Sequence, residues 1–217
     1  TQWDPSRNPA PEPAPDADWV TLNGHIVWVG PQSAWWLQQD VNADKRDRGS
    51  PWPPDPFLVF GRYRVLEQSP TRVVVRSPES PVSGLVLTKT VDVGESRVLL
   101  TAEARNIREE PISWDLWSNT RLDGRARCYV PVAADSTQKL EATVHRPHTE
   151  RAVPVEVTGG CIHFDLAGGL PRGIDKLAGK LYLQPSTGVI AAFFPDTLFL
   201  KKTMLVRPSG GSIAPFW

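Results

Sequence analysis

The chain has 217 residues, 40% of them hydrophobic and 22% charged, and its 24 basic side chains balance 24 acidic ones. That balance lacks the electrostatic footprint of a nucleic-acid or anionic-membrane binder. The length allows one large β domain or two small ones, and no apolar run approaches the ~20 residues of a membrane-spanning helix.

The opening is rich in proline, with a cluster from Pro9 to Pro15. Residues 1–18 read as a Pro-rich segment or linker, and residues 19–217 as a single β-sandwich domain. A segment of this composition suits the stretch after a cleaved leader, which implies a periplasmic or extracellular protein; it equally suits an internal loop. Residues 32–48 hold the only helical pattern, enough for one short turn. From residue 57 the pattern becomes strands. These are expected at 58–67, 71–77, 85–93, 98–106, 112–121, 126–133, 140–145, 152–157, 161–165, 180–184, 188–194 and 198–206. The Gly94-Glu95-Ser96 stretch has the length of a hairpin turn. About a dozen strands joined by tight turns predict an all-β fold, a large antiparallel β-sandwich with little helix.

Tryptophan carries the functional signal. The chain has nine, and Trp3, Trp19, Trp28, Trp35, Trp36 and Trp52 fall in its first quarter. Trp28, Trp35, Trp36 and Trp52 sit beside Pro, Gly, Gln and Asp rather than in apolar runs. An indole face next to polar groups suits a sugar, whose C–H face packs on the ring while its hydroxyls seek hydrogen bonds. The alternative is that these rings plug the ends of a sandwich. On the strand 112–121, period-2 alternation puts Asp115, Trp117, Asn119 and Arg121 on one face, a ligand platform or an exposed sheet face with cross-strand ion pairs. Asp55, between two prolines, either anchors a sugar hydroxyl or closes an Asx turn, the turn being favoured. His25, at a loop–strand junction, is the candidate general acid or base. His145 and His148 read as surface residues, since Pro147 breaks any helix that would align them.

Cys128 and Cys161 lack zinc-ligand spacing. They are expected as free, buried thiols, the alternative being one disulfide across roughly 30 residues. No metal or cofactor is expected. Nothing forms a Gly-x-Ser-x-Gly elbow or a phosphate loop; Gly168–Gly179 reads as a loop without the Gly-Lys-Ser/Thr ending.

Several ordered motifs carry a resemblance. Asn23-Gly24-His25-Ile26-Val27-Trp28-Val29-Gly30-Pro31 resembles a Gly-Gly-His-Arg-x-Trp-x-x-Pro signature, with Ile26 where arginine is common. Trp52-Pro53-Pro54-Asp55 resembles its Trp-Pro-Pro-Asp element. Ser77-Pro78 through Lys89 resembles Ser-Pro…Thr-Gly-Leu-x-Leu-x-Arg/Lys, and Asn106–Ser118 resembles Asn-x-x-x-x-Pro-x-x-Trp-x-x-Trp-Ser. Together, over about residues 20–200, these resemble an uncharacterised domain-of-unknown-function family near the galactose mutarotase-like proteins. The resemblance implies a β-supersandwich with a sugar cleft on its concave sheet. The late glutamate base of the sugar mutarotases has no counterpart here, so enzyme status stays open. The expected ligand is a sugar or oligosaccharide, bound by Trp28, Trp35, Trp36, Trp52, Asp55, Trp117, Asn119 and Arg121. Two alternatives stand beside it: an assembly domain whose aromatics and sheet edges bind another protein chain or a second copy, and a mutarotase or epimerase using His25.

Overall fold

The computed structural model describes residues 12–19, 24–50, 52–122, 126–132, 156–165, 188–194 and 196–202. The expected strands at 140–145 and 180–184, His145, His148 and the loop Gly168–Gly179 lie outside them. The described residues form an all-β structure of three antiparallel sheets with two short helices. The chain divides into two compact units, residues 1–121 and 122–217.

The first unit begins with β1 (His25–Gly30), a 3-10 turn (Gln32–Ala34), α1 (Ala43–Asp47) and α2 (Pro56–Val59). Four strands follow as a meander: β2 (Arg64–Gln68), β3 (Arg72–Arg76), β4 (Leu85–Val93) and β5 (Val98–Asn106). Then β6 (Asp115–Thr120) pairs antiparallel with β1. β4 and β5 have the bounds that alternation predicts, and the turn between them closes with the Gly94 amide donating to the Arg97 carbonyl at 2.8 Å. The expected strand at 58–67 is corrected. Its first residues form α2, because Asp55 supplies an N-cap and Pro56 takes the first helical position, where its missing N–H is not needed. Only Arg64–Gln68 is strand.

One apolar cluster joins both sheets of this unit. Val27 and Val29 of β1 share it with Leu85 and Leu87 of β4, together with Trp35, Trp36, Leu58 and Val82. The odd-numbered residues of β4 therefore face inward, as period 2 requires.

Among its described residues, the second unit forms a five-stranded sheet in the order β11-β10-β7-β9-β8. Its strands are β7 (Arg127–Pro131), β8 (Glu156–Thr158), β9 (Cys161–Asp165), β10 (Val189–Phe193) and β11 (Leu198–Lys202). Ala126, Cys128 and Ala192 form its small buried cluster, with Phe164 against it. Both cysteines are free; Cys128 is buried and Cys161 is only partly so. Register keeps them apart. Cys128 pairs with Phe164 and Cys161 with Pro131, so they sit three positions out of step on opposite sheet faces. That offset is about 10 Å along the strand, beyond the reach of a disulfide.

Candidate functional site

Four indoles close a ring. Trp19 lies 6.0 Å from Trp28, Trp28 5.6 Å from Trp35, Trp35 6.1 Å from Trp52, and Trp52 4.8 Å from Trp19, centroid to centroid. All four pairs are tilted at 48–58°, a geometry that relieves face-to-face quadrupole repulsion. Phe60 extends the ring at 5.3 Å from Trp19, and the Arg121 guanidinium sits 6.0 Å over the same indole. Trp28, Trp35, Trp52 and Arg121 are thus gathered, and the residue that gathers them is Trp19.

The members differ in access. Trp35 and Trp36 are interior, at 2% and 0% exposure. Each satisfies its indole N–H on a backbone carbonyl: Trp35 on Val29 at 2.6 Å and Trp36 on Pro53 at 2.7 Å. Their polar flanks belong to tight turns, and the rings themselves fill the core. Asp55 is interior as well. Its Oδ1 accepts from the Phe57 and Leu58 amides, and its Oδ2 accepts from Ser80 Oγ at 2.5 Å. Burial pushes its carboxyl up from the usual range, and these hydrogen bonds oppose that rise. Trp52 is the open one, 42% exposed.

Beside Trp52 lies a surface cleft of about 450 Å³, lined by Asp16, Asp18, Lys45, Arg48, Ser50 and Trp52 with Ala17 and Pro53. Its walls are pinned by hydrogen bonds. Asn42 caps α1 by accepting from the Lys45 amide at 2.9 Å, and its Nδ2 donates to the Pro15 carbonyl at 3.1 Å. Lys45 Nζ donates to the same carbonyl at 2.9 Å and rests 4.0 Å over the Trp36 ring. Burial lowers the Lys45 amine, while Asp16 and then Asp18 pull it back up. Gln39, buried beneath, donates to the Trp36 and Asn42 carbonyls and accepts from the Asn42 amide. Ser50 Oγ donates to the Trp52 carbonyl at 2.6 Å, and Arg48 Nε to the Asp44 carbonyl at 3.0 Å.

β1 sends its other candidates elsewhere. His25 and Trp28 have opposite parity on the strand and leave it on opposite faces. The His25 ring is held by two hydroxyls of β6, with Nδ1 2.8 Å from Thr120 Oγ1 and Nε2 3.1 Å from Ser118 Oγ. Trp117 pairs with Trp28 on the other face, alongside Asn119 and Asp115. Its indole lies across Gly30, where an added Cβ would fall 2.2 Å from ring atoms. Gly30→Ala must therefore displace the Trp117 ring. We expect a loss of about 1–3 kcal/mol, abolished in the Gly30→Ala/Trp117→Ala background; urea titration of the four proteins measures the coupling.

A family model described as a domain of unknown function (DUF4380) matches residues 4–210. The chain belongs to the DUF4380 family. No curated protein and no solved structure matches it. In this DUF4380 chain the sequence signal found the tryptophans but missed the charged wall of the cleft. Asp16 and Asp18 sit in the segment read as linker, and Lys45 and Arg48 in the one short charged run. The available signal was Asn42 three residues before Lys45, a helix start that fixes which charges face one way.

Proposed function

We propose that this DUF4380 chain binds carbohydrate in the cleft beside Trp52. The observation that carries the reading is one open indole next to two carboxylates, two cations and a serine in a cleft of about 450 Å³. An aromatic face takes the apolar side of a sugar ring, and groups of both signs take its hydroxyls, which donate and accept. The volume falls in the range of about 300–1,000 Å³ usual for small-ligand sites. The wall is fixed before any ligand arrives, which limits the ordering cost of binding. Trp28, Trp35 and Arg121 enter this reading as the packing that orients Trp52, and Trp36 as the floor under Lys45.

The resemblance of the ordered motifs to an uncharacterised family near the galactose mutarotase-like proteins supports a sugar as ligand. The reading is binding. The imidazole of His25, the candidate for mutarotase chemistry, leaves β1 on the face opposite Trp28. Calorimetry against a panel of mono- and oligosaccharides, uronic acids included, tests the proposal. Trp52→Ala should weaken any binding sugar at least about tenfold, or ~1.4 kcal/mol, and leave folding intact. A panel without a single binder removes the reading, and so does a binder indifferent to Trp52.

A second reading, protein association, has its own observation. β11 is an edge strand among the described residues, and Leu198, Phe199 and Leu200 are 48%, 39% and 60% exposed, so both of its faces reach solvent. Such an edge is a template for strand addition. Sedimentation at micromolar concentration decides: self-association lost in Leu200→Lys supports it, and a strict monomer that captures no extended peptide counts against it.

A further inference from the structure

β6 sets two hydroxyls against one imidazole. The Arg121 amide donates to the Gly24 carbonyl at 2.9 Å, so the ladder of β1 and β6 is hydrogen-bonded at that pair. The alternation of an antiparallel ladder then makes His25 with Thr120, and Val27 with Ser118, the non-hydrogen-bonded pairs, whose side chains stand closest. His25 therefore has Thr120 directly across from it and Ser118 on the diagonal, all on one face. Its Nδ1 lies 2.8 Å from Thr120 Oγ1 and its Nε2 3.1 Å from Ser118 Oγ. Both distances fall in the range of about 2.6–3.2 Å that joins a nucleophile to its base, and a base to the group that orients it. His25 and Ser118 are exposed, so a substrate reaches them.

One arrangement of protons makes the Ser118 hydroxyl a nucleophile. With the ring hydrogen on Nδ1, Thr120 Oγ1 accepts it, and the Nε2 lone pair accepts the Ser118 O–H. When Nε2 takes that proton, the imidazolium carries a donor on each nitrogen, and Thr120 already serves the one on Nδ1. We infer that Ser118 and His25 form an acyl-transfer pair for small esters with a good leaving group, with Thr120 positioning the imidazole. In the first step, Ser118 Oγ attacks the ester carbonyl carbon and forms a C–O bond while its proton passes to Nε2. The tetrahedral intermediate then collapses, the bond to the leaving oxygen breaks, and that oxygen departs with the proton from Nε2. A water that gives a proton to Nε2 attacks the acyl-serine, and Ser118 regains the proton as the free acid leaves. No oxidant or reductant is involved. The restriction to good leaving groups follows from Thr120, a neutral partner where strong hydrolases place a carboxylate.

These side chains stand on the face of β1 opposite Trp28, and the inference is independent of the carbohydrate reading.

The test is acylation of the folded chain by p-nitrophenyl acetate. Release of p-nitrophenol gives the rate, and acid quenching followed by peptide mapping locates the acetyl group. Ser118 should be acetylated at least about a hundredfold faster than Ser69, an exposed serine between β2 and β3, and the preference should vanish in denaturant. His25→Gln should bring the Ser118 rate down to that of Ser69. The rate should rise with pH through a single ionisation, that of the imidazole. Thr120→Val removes the acceptor of the imidazolium, so it should lower the midpoint of that profile, and Thr120→Ser should restore it. A merely structural Thr120 would leave the midpoint in place. No acetyl group on Ser118, a Ser118 rate equal to that of Ser69, or a rate indifferent to His25→Gln overturns the inference.

Discussion

Asp55→Ala should lower the stability of the first unit by about 3–5 kcal/mol, and urea unfolding followed by tryptophan fluorescence should show it as a reduced midpoint. Asp55 is 2% exposed and holds three partners at once. Alanine leaves the Phe57 and Leu58 amides without their acceptor at the start of α2, and orphans the Ser80 hydroxyl. Buried donors left unmade cost about 1–3 kcal/mol each, offset in part by relief of a desolvated carboxyl. Ser80 is fully buried and its Oγ also accepts from the Val82 and Ser83 amides, so the damage spreads into the turn that launches β4. Asp55→Asn keeps the shape and the α2 cap, and should cost less. Its deficit should also shrink as pH rises. The folded carboxyl is raised above its ordinary value, so the aspartate's contribution is fully present at low pH and is lost as pH climbs through the folded pKa. The amide has no such dependence. A deficit that grows with pH would contradict this account of Asp55.

Fold class was legible because alternation survives in the long strands. Leu85–Val93 and Val98–Asn106 carry enough β-branched and apolar residues in period 2 to fix both ends. The stretch at 58–67 misled for a local reason. Leu58, Val59 and Phe60 read as strand by composition, while Asp55 and Pro56, three and two residues before Leu58, dictate a helical turn. The tryptophans show a different limit. Their turn-rich flanks suggested open rings, yet the flanks are polar because tight turns need those residues, and the rings fold back into the core. Sequence cannot say which of several adjacent indoles stays outside. That depends on which side of a turn each leaves, and only Trp52 of the four expected rings ends up open to solvent by more than a third. The cleft wall was illegible for a related reason: Asp16, Asp18, Lys45 and Arg48 are ordinary surface charges until the Pro15 carbonyl draws the two segments together.

The cleft beside Trp52 and the Lys89 amine sit in different surroundings. The cleft beside Trp52 is lined by acidic and basic side chains, Asp16, Asp18, Lys45 and Arg48. Lys89 differs: its amine rests 4.3 Å from the Tyr63 ring on an apolar, partly buried sheet face. Native proteins tolerate such a residue at a cost in stability.

That cost is measurable. Lys89→Met should stabilise the chain at about pH 7 by about 1–3 kcal/mol, and the gain should fade as pH rises. The sign follows from the depressed amine. In the unfolded chain it titrates at 10.5 and in the folded one at about 8. Between those values the unfolded state binds more protons, so the stability of the natural chain climbs with pH. Above 10.5 the amine is neutral in both states and its burial carries no charge penalty; below about 8 the penalty is complete. The interval corresponds to about 3 kcal/mol. Methionine removes that penalty and keeps an unbranched chain against Tyr63, but loses the cation–ring attraction, worth about 0.5–2 kcal/mol. Among the described residues, the cross-strand neighbours of Lys89 carry no charge: β3 presents Val75 and β5 presents Ala102. Urea unfolding of both proteins at pH steps from about 6 to 10 measures the difference. A stability gap that does not change with pH, or a methionine variant that is less stable at neutral pH, would show that the Lys89 amine is solvated and charged in the folded protein.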